Sequence, residues 1–354
     1  MAVPFTRLAS QVLDNYNVKL NNALKRFDGI VAVLGAKGRI QFETGGGENF
    51  RERILYGENS NISFQGKNAQ IGTVDDEGIT MASVPQRVIA GSIVINQVER
   101  DQVAEGSKWA IGNLMKDKML QFESTWVRKH ADALRQAVPG SNDPFTLLPS
   151  GTSGTINGIL SPVVPASAAG TTAGISRLDN DWWRNQYTNT SIDISTEAGR
   201  ASLYSLLYQN CVFGAALEDE PDFGLASGAV LGDIGAAIDT NRRADYEDNK
   251  LFKLGFRGIM FFNAMLIRDS STRFASKIAL INTRDLSIKV LRSQGGSYDK
   301  ATEVDNNNEL GSIPVNMGKF QRDIDSLNDV ALAYSVCSLV PKQLRTHGLA
   351  DNVV

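Results

Sequence analysis

The chain has 354 residues, of which 42% are hydrophobic and 21% charged, with a formal net charge of -3. That length supports one large core or two to three lobes, and the charge balance lacks the basic excess of a protein that holds nucleic acid through many phosphate contacts. No apolar run approaches the roughly eighteen residues of a membrane span, and Met1 to Ser10 has neither the charged head nor the apolar stretch of a secretion signal, so the chain is expected to remain in the cytoplasm where it is made.

Between Thr6 and Phe27, Leu8, Val12, Leu13, Tyr16, Leu20 and Leu24 recur every three to four residues, the spacing of an amphipathic helix. Asp28-Gly29 reads as its stop. Residues 30–96 are rich in Gly, Asn, Gln and short β-branched runs, which predicts extended strands and loops with little material for a core. Ile79 to Gln97 supplies a returning strand, and either Arg39–Phe42 or Arg51–Tyr56 the outgoing one. The expected object is a long hairpin, and because two strands alone are marginal in water, something outside the subunit is expected to hold it.

From Val98 to Val138 no proline interrupts the chain. At 100° per residue Ile111, Met115, Met119, Phe122, Trp126, Ala133 and Ala137 fall on one face, predicting a helix of about 35 residues and some 50 Å, ended by Pro139-Gly140. Trp109, Leu120, Val127 and Leu134 form a second apolar line, so the helix is expected to be contacted on two sides. The second side is either a layer of its own fold or a neighbouring subunit.

After a small-residue stretch from Gly151 to Gly174 a second lobe is expected, with helices near Thr196–Gln209 and Ser227–Arg243 and strands at Ile259–Ile267 and Lys277–Leu280. Val330, Leu332, Tyr334, Val336 and Ser338 alternate with Ala331, Ala333, Ser335 and Cys337, which predicts a strand with small residues on one side, stopped at Pro341. The order is mixed α+β without βαβ alternation.

Sites for chemistry are not evident. The chain has two histidines, His130 and His347, and two cysteines, Cys211 and Cys337, none at metal-ligand or triad spacing. Both cysteines sit among apolar residues and read as buried small hydrophobes. Gly45-Gly46-Gly47 is not followed by GK[ST], and Gly151, Gly154 and Gly158 do not form GxGxxG. Asp75-Asp76-Glu77 and Glu218-Asp219-Glu220 lack a cation-loop pattern and read as solvated turns. No catalytic residue, cofactor site or metal site is assigned, and the chain is not expected to be an enzyme.

Several segments resemble one family. Ala90-Gly-Ser-Ile-Val-Ile-Asn followed by Ala104-Glu-Gly-Ser-Lys-Trp-Ala-Ile-Gly-Asn-Leu-Met is similar to the passage from the extended loop into the spine helix of tailed-bacteriophage major capsid proteins. Asp181-Trp-Trp-Arg-Asn-Gln-Tyr resembles a stretch after that helix. Leu254-Gly-Phe-Arg-Gly-Ile-Met-Phe-Phe-Asn-Ala-Met-Leu-Ile-Arg-Asp resembles the family's strand that ends in an aspartate, and Leu280-Ile-Asn-Thr-Arg-Asp-Leu resembles its Leu-Asn-Thr stretch. The order of these segments, over about residues 48 to 350, carries the resemblance more than any one of them.

The resemblance implies an α+β, Hong Kong 97-like (Johnson) capsid fold. It implies an N-terminal arm with the amphipathic helix at residues 1–38 and an extended β-hairpin loop at 39–96. A peripheral domain with the spine helix would take 97–154 and 265–325, and an axial domain 155–264 and 326–354. The implied function is self-assembly through hexamers and pentamers into an icosahedral head around packaged double-stranded DNA, without sequence-specific binding. Implied partners are other copies, a separate scaffolding protein, a portal protein at one vertex and cement or decoration proteins, with assembly in the host bacterial cytoplasm. Ile62, Phe64, Lys67, Ile71, Val74, Trp109, Leu120 and Val127 are the proposed subunit-interface residues. Lys67-Asn68 lies in the loop, but no crosslinking motif accompanies it. The alternatives are an encapsulin-like compartment shell and a cytosolic α+β enzyme.

Overall fold

The structure, a computed structural model, describes residues 29–43, 47–62, 64, 77–98, 118–119, 121–122, 125–126, 129, 133, 171–212, 219–237, 258–269, 276–291, 316–317, 320–322 and 328–354. The helix expected over Thr6–Phe27 lies outside them.

The first described element corrects the sequence reading. Where Asp28-Gly29 looks like a helix stop, a helix begins: α1 spans Gly29–Ala36. Its sequence, GIVAVLGA, is apolar almost throughout, and Ile30, Val33 and Leu34 are buried in the main core. Burial here overrides the modest helix propensity of the β-branched residues. The helix closes with a Schellman turn, Arg39 N donating to Leu34 O and Gly38 N to Gly35 O, which places Gly38 at a φ of 66° that glycine adopts without strain.

Among the described residues, two six-stranded sheets form the body. In the first, β1 (Ile40–Glu43) runs parallel to β12 (Leu286–Leu291), β12 antiparallel to β15 (Asn328–Pro341), and β15 antiparallel to β4 (Arg87–Asn96). β13 (Asn316–Met317) and β14 (Gln321–Arg322) also pair with β15. The second has the order β7 (Gln186–Thr188), β16 (Gly348–Asp351), β11 (Lys277–Ile281), β8 (Phe223–Ala226), β10 (Ala264–Arg268) and β9 (Gly258–Phe261). A short hairpin, β5 (Thr171–Thr172) with β6 (Ile175–Ser176), stands apart from both. The single strand expected over Ile259–Ile267 is therefore a hairpin, β9–β10, turning at Phe262-Asn263.

The central strands of the second sheet read as continuous apolar runs because both their faces are covered. Phe223, Leu225, Met265, Ile267, Ala279 and Ile281 enter the core shared with α1 and the first sheet. Ala226, Leu266, Ile278 and Leu280 enter a second core beneath helices. Those helices are α2 (Glu197–Leu203), capped by Thr196 accepting from Gly199 N and continued by one π turn to Cys211, and α3 (Gly228–Ala237), where Ser227 Oγ accepts from Val230 N. Cys211 and Cys337 are both buried, and burial raises the pKa of both thiols, that of Cys337 to about 12.

Residues 118–119, 121–122, 125–126, 129 and 133 are helical and fall within the expected long helix, whose length and whose Ile111, Met115 and Ala137 lie outside the described residues. Met119, Trp126 and Ala133 are buried while Gln121, Thr125 and Lys129 are exposed, the periodicity predicted for the first apolar line. Trp126 packs on Phe122, ring centroids 5.4 Å apart, and with Ile89 of β4. The approach is close: a Cβ on Gly91 would stand 2.9 Å from Phe122 Cε2. Trp109, Leu120, Val127 and Leu134, the second line, lie outside the described residues.

Trp126→Ala is expected to destabilise the subunit by about 3–5 kcal/mol, because a truncated buried indole leaves a cavity that neighbouring groups only partly fill. The urea unfolding midpoint measures it, and an unchanged midpoint would disprove the packing of this helix on β4.

Candidate assembly surface

The outgoing strand of the hairpin is β2 (Asn49–Leu55), which pairs with β3 (Ile79–Pro85) from Asn49↔Pro85 to Leu55↔Ile79. The other candidate, around Arg39–Phe42, is β1 and belongs to the first sheet. The ladder continues one step outward, where Tyr56 N and Gly57 N both donate to Gly78 O. A Cβ on Gly57 would come within 2.9 Å of Gly78 Cα, so the two glycines permit a backbone contact that larger residues would hold apart.

The hairpin has a root in the main core, which the reading of residues 30–96 as core-poor did not anticipate. Phe50, Ile54 and Ala82 are buried, because alternate residues of β2 face inward. Polar contacts fix the same root. The buried Lys289 ammonium on β12 reaches Glu52 Oε2 at 2.7 Å and Glu43 Oε1 at 2.5 Å, and donates to Arg51 O at 3.1 Å. Burial by itself lowers the pKa of Lys289, but the hydrogen bonds and charges of Glu43 and Glu52 outweigh it and leave it raised. Ser338 Oγ donates to Pro85 O, Ser83 N to Ala173 O between β5 and β6, and Tyr56 stacks on Trp182 at 4.9 Å between centroids. The adjacent Trp183 is buried and donates from Nε1 to Thr172 O, so the Asp181-Trp-Trp-Arg segment braces the hairpin.

Beyond this root the described apolar side chains face solvent. Leu55 is 75% exposed, Ile79 66% and Ile62 82%, and Phe64 is fully exposed. The outer face of the β4–β15 ribbon is also apolar and uncovered: Val88, Val94, Leu332 and Tyr334 are exposed, and the register places Val94 opposite Val330, Ser92 opposite Leu332, Ala90 opposite Tyr334 and Val88 opposite Val336. The small residues expected on one side of β15 are the inward ones, Ala331 and Ala333. Ala333 is paired with Gly91, under the Phe122 ring, so the large residues are left outside.

Of the sequence-predicted interface residues, Ile62 and Phe64 thus stand exposed on the outgoing arm, while Lys67, Ile71, Val74, Trp109, Leu120 and Val127 fall outside the described residues. Sequence reasoning missed Lys289, Glu43 and Glu52, which nothing in spacing distinguishes from surface charges. It also missed Leu332 and Tyr334, whose alternation was legible but whose outward direction was not. Glu220, read as part of a solvated turn, accepts from Tyr208 Oη and from Asn263 Nδ2 and holds the β9–β10 turn. His347 is buried in the body of the protein. Among the described residues no group of three or more His, Cys, Asp or Glu side chains is placed to hold a metal.

No protein-family profile matches the chain, and neither does any curated protein sequence. Solved structures do. The chain is similar to the capsid asymmetric unit of cyanophage A-1(L), with 15% identity over 91% of this chain and 92% of that one and a TM-score of 0.58. It is also similar to the capsid of the native GTA particle, with 10% identity over 91% and 90% of the chains and a TM-score of 0.53. At such low identity the likeness establishes the fold. That fold is the capsid-subunit fold expected from the sequence, α+β and Hong Kong 97-like.

Lys289→Ala is expected to destabilise the subunit by about 2–3 kcal/mol, less than for a fully buried pair because Glu43 and Glu52 keep some contact with water. Since the pKa of Lys289 is raised above 10.5, this contribution is fully present from pH 7 to pH 9, where both carboxylates are also charged, and on the alkaline side it is lost only as pH rises through the higher folded value. Denaturant midpoints of mutant and parent should therefore differ equally at pH 7 and pH 9. A gap that closes by pH 9 would show that the ammonium is not held by the two carboxylates.

Proposed function

We propose that the chain is the major capsid protein of a tailed bacteriophage, assembling through hexamers and pentamers into an icosahedral shell around packaged double-stranded DNA. The carrying observation is the contrast along one hairpin, whose root is fixed in the core by Phe50, Ile54 and Lys289 while Ile62 and Phe64 stand in solvent. A hairpin that cannot bury its own outer part gains from lying on another copy, and the exposed face of Val88, Val94, Leu332 and Tyr334 offers an apolar surface of the same chain. Contact between unlike patches of identical subunits is heterologous, the kind that closes into rings.

In this reading Lys67, Ile71 and Val74 extend the contact along the hairpin, and Trp109, Leu120 and Val127 present the second line of the spine helix to a neighbour. Residues 1–38 form the arm and 39–96 the extended loop. The peripheral domain, with the spine helix, takes residues 97–154 and 265–325, and the axial domain takes 155–264 and 326–354. Partners are a separate scaffolding protein, a portal protein and cement or decoration proteins, the product is the virion capsid, and assembly takes place in the host cytoplasm. The near-neutral charge suits a wall that must release its DNA.

Electron microscopy of the purified protein tests the reading. Closed shells with nucleic acid from infected cells support it, shells holding a protein cargo point to a compartment, and a small discrete oligomer under all conditions removes it. The joint change Ile62→Asp and Phe64→Asp is expected to leave the unfolding midpoint within about 0.5 kcal/mol of the parent, as for exposed positions, and to abolish shells. Shells that still close would show that the hairpin tip is not the contact.

A further inference from the structure

The chain passes between the two sheets at two adjacent crossings. Asn282 to Asp285 carry it from β11 to β12, and residues 342–347 carry it back from β15 to β16. The crossings are bonded to each other. Asn282 N donates to His347 Nδ1 at 3.1 Å, Thr346 Oγ1 to Asp285 Oδ2 at 2.6 Å, and Lys342 N to Asp285 O at 2.8 Å. Asp222, next to β8, accepts from Thr283 N and Thr283 Oγ1 and pairs with Lys37 at the end of α1. Gln186 N donates to His347 O, tying β7 to the same point. Asn282, Thr283, Thr346 and His347 are all buried.

We propose that this joint is an acid-sensitive switch between the two sheets, with His347 as its trigger. The ring accepts a backbone N–H at Nδ1, so the neutral form carries its proton on Nε2, which is buried without a hydrogen bond of good geometry. A second proton can enter only at Nδ1. It would set two N–H donors against each other across the Asn282 contact and place a charge in a dry site. Every change that admits the proton must therefore open the contact between the crossings.

The surroundings decide the range. Burial holds the His347 pKa down at about 4, with Asp222 and the Gln343 carbonyl raising it and Arg177 lowering it. Two carboxylates, Asp222 and Asp285, also belong to the joint. Burial raises the pKa of Asp285, Thr346 lowers it, Asp219 raises it, and Lys342 and Arg39 lower it. For a histidine depressed from 6.5, the closed joint is fully favoured above that value and loses its advantage as pH falls toward 4. The opened joint, where the ring titrates normally, gains up to tenfold per pH unit, roughly 300-fold over that window. Asp285 works in the opposite direction to a simple carboxylate clamp. With its pKa raised, it takes up a proton more readily in the folded protein than in the opened one, so it does not itself drive opening.

This inference does not depend on shell formation. Exchange of the imidazole C2 hydrogen for deuterium, followed by mass spectrometry across pH, reads each histidine separately in the protein as purified, whatever its size. His347 should titrate near pH 4, against about 6.5 for an unperturbed histidine. A midpoint near 6.5 overturns the proposal. Amide exchange of peptides spanning 282–286 and 342–348, corrected for intrinsic pH dependence, should show at least tenfold weaker protection at pH 4.5 than at pH 7. In His347→Asn, whose side-chain oxygen can accept from Asn282 N but cannot be protonated in this range, the protection should persist. Equal loss in parent and variant assigns the trigger to the carboxylates and overturns the proposal. If the variant does not fold, the two curves of the parent decide: loss of joint protection that follows the His347 titration supports the proposal, and loss that is complete before His347 titrates, or protection unchanged down to pH 4, overturns it.

Discussion

The strand β15 must satisfy two ladders at once, and most of the molecule hangs on how it does so. Cys337–Pro341 pair with β12 and Asn328–Cys337 with β4, the two ladders meeting at Cys337, which lies opposite both Val290 and Arg87. The hairpin leaves the body at that meeting point: Ser338 Oγ holds Pro85 O, and Lys289, paired with Ser338 across the ladder, holds Glu43 and Glu52. An unpaired backbone group is costly when buried, so the position of the hairpin root is set mainly by the continuity of these ladders. The ion cluster is then fitted to that geometry. Such a cluster specifies an arrangement more than it stabilises one, since its desolvation offsets much of its attraction.

The parts legible in the sequence were those governed by a local period. The spacing of Met119, Phe122, Trp126 and Ala133 announced a helix face, and Lys277–Leu280 lay within one residue of β11 as observed. What stayed illegible depended on partners distant in sequence. The run from Ile30 to Leu34 reads as a strand or loop until α1 has a core to enter. The long apolar stretch Ile79–Gln97 reads as one strand until it is seen that β3 pairs with β2 while β4 pairs with β15. Alternation along β15 told which residues shared a face but not which face was inward. The choice was made by Gly91 and the aromatic pair Phe122–Trp126, where only small residues leave room.

The candidate surface follows the same division. Ile62 and Phe64 could be chosen from sequence because a polar, glycine-rich segment with isolated large apolar residues cannot make a core. Lys289 could not, because a lysine on a strand is ordinarily a solvated one, and its burial arises from carboxylates more than two hundred positions away in the chain. The functional reading thus rests on two kinds of residue: exposed apolar groups that look misplaced in one subunit, and buried charges that make the exposed arm stiff.

Strands β8, β10 and β11 divide their side chains between two separate cores, with Phe223, Met265 and Ala279 on one side and Ala226, Leu266 and Ile278 on the other. Neither core can loosen without disturbing backbone that the other needs, so the two layers should not behave as independent foldons. At neutral pH, with the joint closed, native-state hydrogen exchange would then find a single cooperative unit across both sheets and helices α2 and α3. In the proposed shell, such shared strands would make the lobe transmit strain between neighbours as one solid body rather than absorb it by partial melting.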